Sequence, residues 1–136
     1  MQPTTARDFL RVALQRLDVA IEIMEMLRRS LEAQYIGGYS VECSFKALIL
    51  ERTAEDDRPE TLERLTHGAT YHRPEVLLDR LRVLGVALTP ELAKRIRRFD
   101  WTTDLRYETG RKDTGETNAL LKTARAIYEW VEPQIS

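Results

Sequence analysis

The chain predicts an all-α fold, an up-and-down antiparallel bundle of four or five helices, and three observations carry that expectation. Apolar residues recur at three- and four-residue steps along nearly the whole sequence, the spacing that gathers them on one face of a 3.6-residue helix. Leucine outnumbers valine and isoleucine together, 18 to 14, where a strand-rich chain would favour the β-branched pair. Glycine and proline supply only 11 of 136 residues, below the roughly 12% of average usage and too few for a turn-rich β fold. No strict apolar–polar alternation interrupts the pattern. A length of 136 residues suits a single domain, and 43% apolar residues suffice for a core without disulfide or metal staples.

The first helix is expected from about residue 5 to about 29, with Leu10, Leu14, Leu17, Ile21, Met24 and Leu27 on one face. Thr5-x-x-Asp8 can cap its start, with the carboxylate at the positive end of the helix. A second helix runs from Ser30, a candidate N-cap, to about Arg52. Its centre, Tyr35 to Leu50, is apolar or small on nearly every side, the pattern of a helix buried all round. Ala33, Gly37, Ser40, Val41, Ser44 and Ala47 form a small-residue stripe that lets a neighbour come close. Close packing or a kink there would offset the roughly 1 kcal/mol that each of Gly37 and Gly38 costs relative to alanine.

Residues 51–64 hold six acids against three arginines, and Pro59, so this stretch is expected as a solvated connection with a helical turn at Leu62–Leu65. Pro74 opens a third helix bearing Val76, Leu77, Leu81 and Leu84, and Gly85 closes it. Thr89-Pro90-Glu91 starts a fourth with a capping side chain, proline at the first helical position and a carboxylate in the first turn. This helix carries Leu92, Ile96 and Phe99 and weakens over Trp101–Tyr107. A polar loop over Glu108–Gly115 follows, and Asp113 or Thr114 caps the last helix. Leu121, Ala124, Ile127, Tyr128 and Val131 line one face of that helix, and Pro133 stops it.

Composition excludes several function classes. Lysine and arginine number 21 against 22 acids, so a net charge of −1 nominates no polyanion partner by bulk electrostatics. Cys43 is the single cysteine, which excludes an intrachain disulfide and a multi-cysteine metal or iron–sulfur site. His67 and His72 sit in a polar connection with no metal-ligand spacing and are expected as surface or capping residues. No metal or other cofactor is expected. No phosphate-cradling glycine loop, nucleophile elbow or HExxH is present. Apolar stretches end well short of the roughly 20 residues of a membrane span, and the polar start resembles no targeting signal, so a cytoplasmic, non-membrane protein is expected.

Two local features point further. Glu42 and Lys46 lie one helical turn apart and are the only charges between Glu32 and Glu51, on the most apolar helix. A solvated i,i+4 pair contributes only about 0.2–0.5 kcal/mol, but charges removed from water need specific partners, such as another helix or a phosphate. Lys94 to Lys112 holds seven basic residues and three acids, Asp100, Asp104 and Glu108, a local +4 in a chain of −1. Trp101 and Tyr107 lie within it, so the run offers guanidinium forks for phosphate and rings for bases, or else a solvated face.

The string Gly38-Tyr39-Ser40-Val41-Glu42-Cys43-Ser44-Phe45-Lys46-Ala47-Leu48-Ile49 resembles the second-helix signature of the HEPN superfamily. Trp101-Thr102-Thr103-Asp104-Leu105-Arg106-Tyr107 looks like that family's Asp…Arg-Tyr segment before the last helix, and the resemblance spans about residues 5–132. It implies a single HEPN-like domain over 1–136, usually a homodimer. Many members are metal-independent ribonucleases, often toxins paired with a nucleotidyltransferase-like antitoxin; others are non-catalytic binding modules. Active members carry an arginine followed, four to six residues on, by histidine. Arg106 matches the arginine, but Arg111, Lys112 and Asp113 stand where the histidine would, removing the usual acid–base partner for RNA cleavage. The resemblance therefore implies a module, in a stress, defence or toxin–antitoxin setting, that binds RNA or a nucleotide. Arg106, Arg111 and Lys112 would meet phosphate, Tyr107 would stack, Asp104 and Glu42 would orient the cations, and Lys46 would pair with an acid or phosphate. The alternatives are a helical scaffold or partner subunit and a ribonuclease using a base other than histidine.

Overall fold

The computed structural model describes residues 2–67, 70–99 and 101–136, with Asp100 of the basic run outside that set. Among the described residues the fold is an all-α bundle with six α-helices and no strand. Helix α1 (Ala6–Glu22) begins at a complete capping box: Thr5 accepts from the Asp8 N–H, and the Asp8 carboxylate accepts from the Thr5 N–H. The Thr4 N–H, donating to Asp8 Oδ2 at 3.1 Å, holds that carboxyl below its ordinary value. The expected continuation of α1 to residue 29 is instead five residues of wider π-helix, Ile23–Leu27, closed by Arg28 in the left-handed region (φ 55°).

Helix α2 (Ser30–Arg52) is the axis of the molecule, with seventeen of its 23 residues buried. It packs against α1, α4 (Pro74–Val83) and α6 (Thr114–Val131). Helix α1 runs antiparallel to it, placing the Ser40 hydroxyl 2.6 Å from the Ala13 carbonyl to which it donates. Helix α6 runs parallel to α2: Ser30 meets Lys112, Gln34 Nε2 donates to Thr117 Oγ1 at 2.9 Å, and Arg52 Nη2 donates to Gln134 Oε1 at 2.8 Å. Helices α2 and α6 thus both run against α1. Phe45, Leu48 and Ile49 of α2 meet Leu10, Leu17, Leu77, Leu81, Ile127 and Val131 in the main core. At roughly 1.5–3 kcal/mol per buried large apolar side chain, this contact set dominates the folding free energy.

Two expectations about α2 change in the structure. Ser30 is not the N-cap; it is the first helical residue, and its hydroxyl donates to the Lys112 carbonyl while accepting the Lys112 N–H, both at 2.8 Å. The small-residue stripe does not serve one neighbouring helix alone, since Gly37 faces Leu120 and Leu121 of α6 while the Ser40 hydroxyl bonds to α1.

Between α2 and α4 the expected solvated connection contains a helix of its own, α3 (Arg58–Thr66), after a 3₁₀ turn at Glu55–Asp57. Pro59 opens α3 instead of breaking it, because the first-turn N–H it lacks has no helical partner to lose. Glu60 in the first turn suits the helix dipole, and buried Leu65 anchors α3 to the core. The remaining helix starts follow expectation, but the helix expected to carry Phe99 stops at Arg97. Pro74 begins α4, Thr89 Oγ1 accepts from Leu92 N–H at the start of α5 (Pro90–Arg97), and Asp113 caps α6 through the Glu116 N–H at 2.8 Å. Gly85 ends α4 at φ 82° with open space where a Cβ would stand. Gly85→Ala is therefore expected to cost about 1 kcal/mol of stability from backbone strain alone, read as a lower urea midpoint.

Candidate functional site

The Asp104–Tyr107 residues project from a 3₁₀ turn, Thr103–Tyr107, whose start is capped by Thr102 Oγ1 accepting from the Asp104 N–H. Trp101 and Leu105 anchor this strip against Leu31 of α2. The Trp101 indole is stacked with Tyr35 at a ring separation of 6.1 Å and donates its Nε1–H to the Tyr35 carbonyl at 3.1 Å. With the inward positions committed to α2, Asp104, Arg106 and Tyr107 are left exposed. The Arg106 guanidinium lies 4.9 Å above the Tyr107 ring centre, and Tyr107 is 75% exposed. Such an exposed cation–π contact is worth only about 0.5–1 kcal/mol, so an incoming ligand can displace or extend it.

The Arg106 side chain makes no ion pair or hydrogen bond with another described residue, and it borders a hollow of about 310 Å³ lined with Leu31, Glu32, Tyr35, Ile36, Leu105 and Glu108. Arg111 is exposed in the loop that follows. Lys112 pairs with Glu108 at 2.8 Å, and its backbone is clasped by Ser30, which fixes where this loop leaves α2.

Glu42 and Lys46 occupy a different place. Both are buried on α2, with Lys46 Nζ 2.8 Å from Glu42 Oε2. The third member is His72, whose Nδ1 stands 3.2 Å from the same oxygen while its ring stays half-exposed. His72 stays at the surface as expected, and its imidazole also reaches a carboxylate buried on α2, 30 residues away in sequence. His67 does behave as expected, resting against Thr66 and Glu63 at the end of α3. Among the described residues, Glu42 Oε1 and the Ser44 hydroxyl are buried with no hydrogen-bond partner.

Neighbouring groups respond to this buried charge. Burial, and then the Glu42 carboxylate, push the Cys43 thiol up to about 12. The Tyr39 hydroxyl is also pushed up to about 12, first by the Cys43 sulfur to which it hydrogen-bonds, then by burial and Glu42. With a pKa of about 12, only about one Cys43 in ten thousand is thiolate at pH 8, and the residue is buried. Iodoacetamide is therefore expected to leave the folded protein unlabelled over an hour and to label it fully in urea; rapid labelling of the folded state would contradict the burial.

The structure separates the sequence-selected residues into two groups. Asp104, Arg106 and Tyr107 lie on the 3₁₀ strip, Lys112 pairs with Glu108 just after it and Arg111 is exposed in the same loop, whereas Glu42 and Lys46 pair internally with His72. Tyr35 and Glu42 are seven residues apart, about 10 Å along a helix rising 1.5 Å per residue. No hydrogen bond or ion pair among the described residues joins Asp104 or Arg106 to Glu42 or Lys46. Among the described residues no group of three His, Cys, Asp or Glu side chains is arranged to hold a metal ion, and no helix is long and apolar enough to cross a membrane. Comparison of the chain with protein-family models, with curated proteins and with solved structures finds no match.

Proposed function

We propose that the chain is a HEPN-like module that binds RNA or a nucleotide on the strip formed by Arg106, Tyr107 and Arg111, with Lys112 and Asp104 at its edge. The observation that carries the reading is the exposed Arg106 guanidinium lying over an exposed Tyr107 ring with no acidic partner among the described residues. A planar cation meets phosphate oxygens as a fork, and an adjacent ring offers a face to a base. The anchoring of Trp101 holds both groups in place before a ligand arrives, which lowers the entropy cost of binding. The resemblance of residues 38–49 and 101–107 to HEPN sequences supports the same assignment. It also supports a homodimeric, cytoplasmic protein of a stress, defence or toxin–antitoxin system with a nucleotidyltransferase-like partner.

No ribonuclease step is assigned: Arg111, Lys112 and Asp113 stand where active members carry histidine. The alternative of a helical partner subunit draws on Met26 and Leu27, which lie 76% and 61% exposed on the π-turn after α1.

The test is retention of a mixed structured RNA in EDTA at two salt concentrations. Wild type is expected to bind saturably and leave the RNA intact. Arg106→Ala is expected to bind about tenfold more weakly, with a salt slope reduced by about one. Equal retention by both proteins would sink the reading, and cleavage lost in Arg106→Ala would make the protein a nuclease.

A further inference from the structure

His72 is held in an arrangement that the function proposed above does not use. Its Nδ1 stands 3.2 Å from Glu42 Oε2, and its Nε2 makes no hydrogen bond with a described residue. An ionised carboxylate only accepts, so Nδ1 carries the hydrogen and the lone pair of the neutral ring sits on Nε2. The Glu42 side chain is 1% exposed and that of His72 38%, so the ring meets a buried carboxylate along one edge and solvent along another. That carboxylate is short of compensation. Lys46 Nζ and His72 Nδ1 share Oε2, while Oε1 is buried with no partner among the described residues. A buried anion in this state is stabilised by any reaction that leaves the ring it touches positively charged.

That requirement selects a chemistry. A substituent on Nε2 of a ring already protonated at Nδ1 turns the ring into an imidazolium, with its positive charge against Glu42. A substituent that is itself an anion has to remain on the solvent side, where water hydrates it. A phosphoryl group meets both conditions. We propose that His72 is a phosphoacceptor, taking a phosphoryl group at Nε2 from a donor of the phosphoramidate class. The Nε2 lone pair forms the new P–N bond. The donor's own P–N bond breaks, and its electron pair leaves on an amine that already carries its protons. No proton leaves Nδ1, one P–N bond replaces another, and nothing is oxidised or reduced. Glu42 is the positioning residue: it fixes which nitrogen reacts and neutralises the ring that results. The Arg106 strip contributes no residue, so this proposal and the one above stand or fall separately.

The test is treatment of the full chain with potassium phosphoramidate at pH 8. Phosphorus NMR identifies the substituted nitrogen, and mass spectrometry of peptides kept alkaline identifies the residue, since a phosphorylated imidazole is lost in acid. His67 is the internal control: its side chain is more exposed, at 60%, but it rests against Thr66 and the exposed Glu63. His72 is expected to react at least about tenfold faster than His67, and at Nε2 alone. His72→Gln should abolish the fast reaction and leave that of His67 unchanged. The double variant Glu42→Leu/Lys46→Met withdraws the carboxylate without stranding the ammonium. In it His72 should slow to the rate of His67 and react at both nitrogens. Circular dichroism checks helix content, and if the double variant does not fold, the comparison of the two histidines in wild type decides alone. Reaction of His67 as fast as His72, a product at His72 Nδ1, or an unchanged rate in the folded double variant would overturn the proposal.

Discussion

Lys46→Ala is expected to lower the free energy of unfolding by about 3–5 kcal/mol, the usual consequence of removing one partner from a buried ion pair. Glu42 is 1% exposed, and one of its oxygens already lacks a partner among the described residues. Without the ammonium, His72 alone would face the carboxylate, from a half-exposed position and at the longer distance of 3.2 Å. The charge would then have to stay buried and poorly compensated or take up a proton. The double variant Glu42→Leu/Lys46→Met removes both charges and conserves much of the apolar volume, so it should recover most of the loss. Urea unfolding of the three proteins measures this directly. A single variant as stable as wild type would show that the pair contributes nothing, and a double variant as unstable as the single would point to packing instead of charge.

Gly38→Ala should destabilise the fold by about 1–3 kcal/mol even though alanine is the better helix former by about 1 kcal/mol. A Cβ built on Gly38 falls inside the Trp101 indole, which is held by its bond to the Tyr35 carbonyl. The ring would have to leave its place and take the strip of Arg106 and Tyr107 with it, so a red shift of tryptophan emission should accompany the loss. Gly37→Ala is the control. Its new Cβ would meet Leu121 Cδ2 at 2.8 Å and Leu120 Cδ2 at 3.1 Å, both ends of flexible side chains. Helix propensity and crowding nearly cancel there, and a change within about 1 kcal/mol is expected. Equal effects at the two glycines would contradict the assigned role of the indole.

The elements that were legible in the sequence are those whose ends carry their own chemistry. Thr5 with Asp8, Pro74, Gly85, Thr89 with Pro90, and Asp113 each satisfy or terminate a helix through neighbours three or four residues away. Helix α3 was hidden because Pro59 and a cluster of acids read equally as a loop, and only packing of Leu65 decides between them. Ser30 was misplaced for a related reason: a hydroxyl at a helix start has a local use, but here a backbone 82 residues away takes it.

The candidate site was legible in its residue types and not in its grouping. The isolation of Glu42 and Lys46 on an apolar helix announced a buried pair in need of a further partner, yet nothing near them in sequence singles out His72. Likewise Arg106 and Glu42 occur in two neighbouring motifs of one resemblance, and the distance between them is set by which turn of α2 the Trp101 indole occupies.

The parallel alignment of α2 with α6 also sets an order of events during synthesis. Partners such as Gln34 and Thr117 are 83 residues apart, which at ribosomal speeds of about 5–20 residues per second separates them by on the order of ten seconds. Over that interval the nascent chain can close the α1–α2 hairpin, but the wall of α2 that α6 will cover faces the cell. The helix that is most buried in the finished protein therefore spends that interval with one wall uncovered, and a chaperone engaging this chain should grip it there.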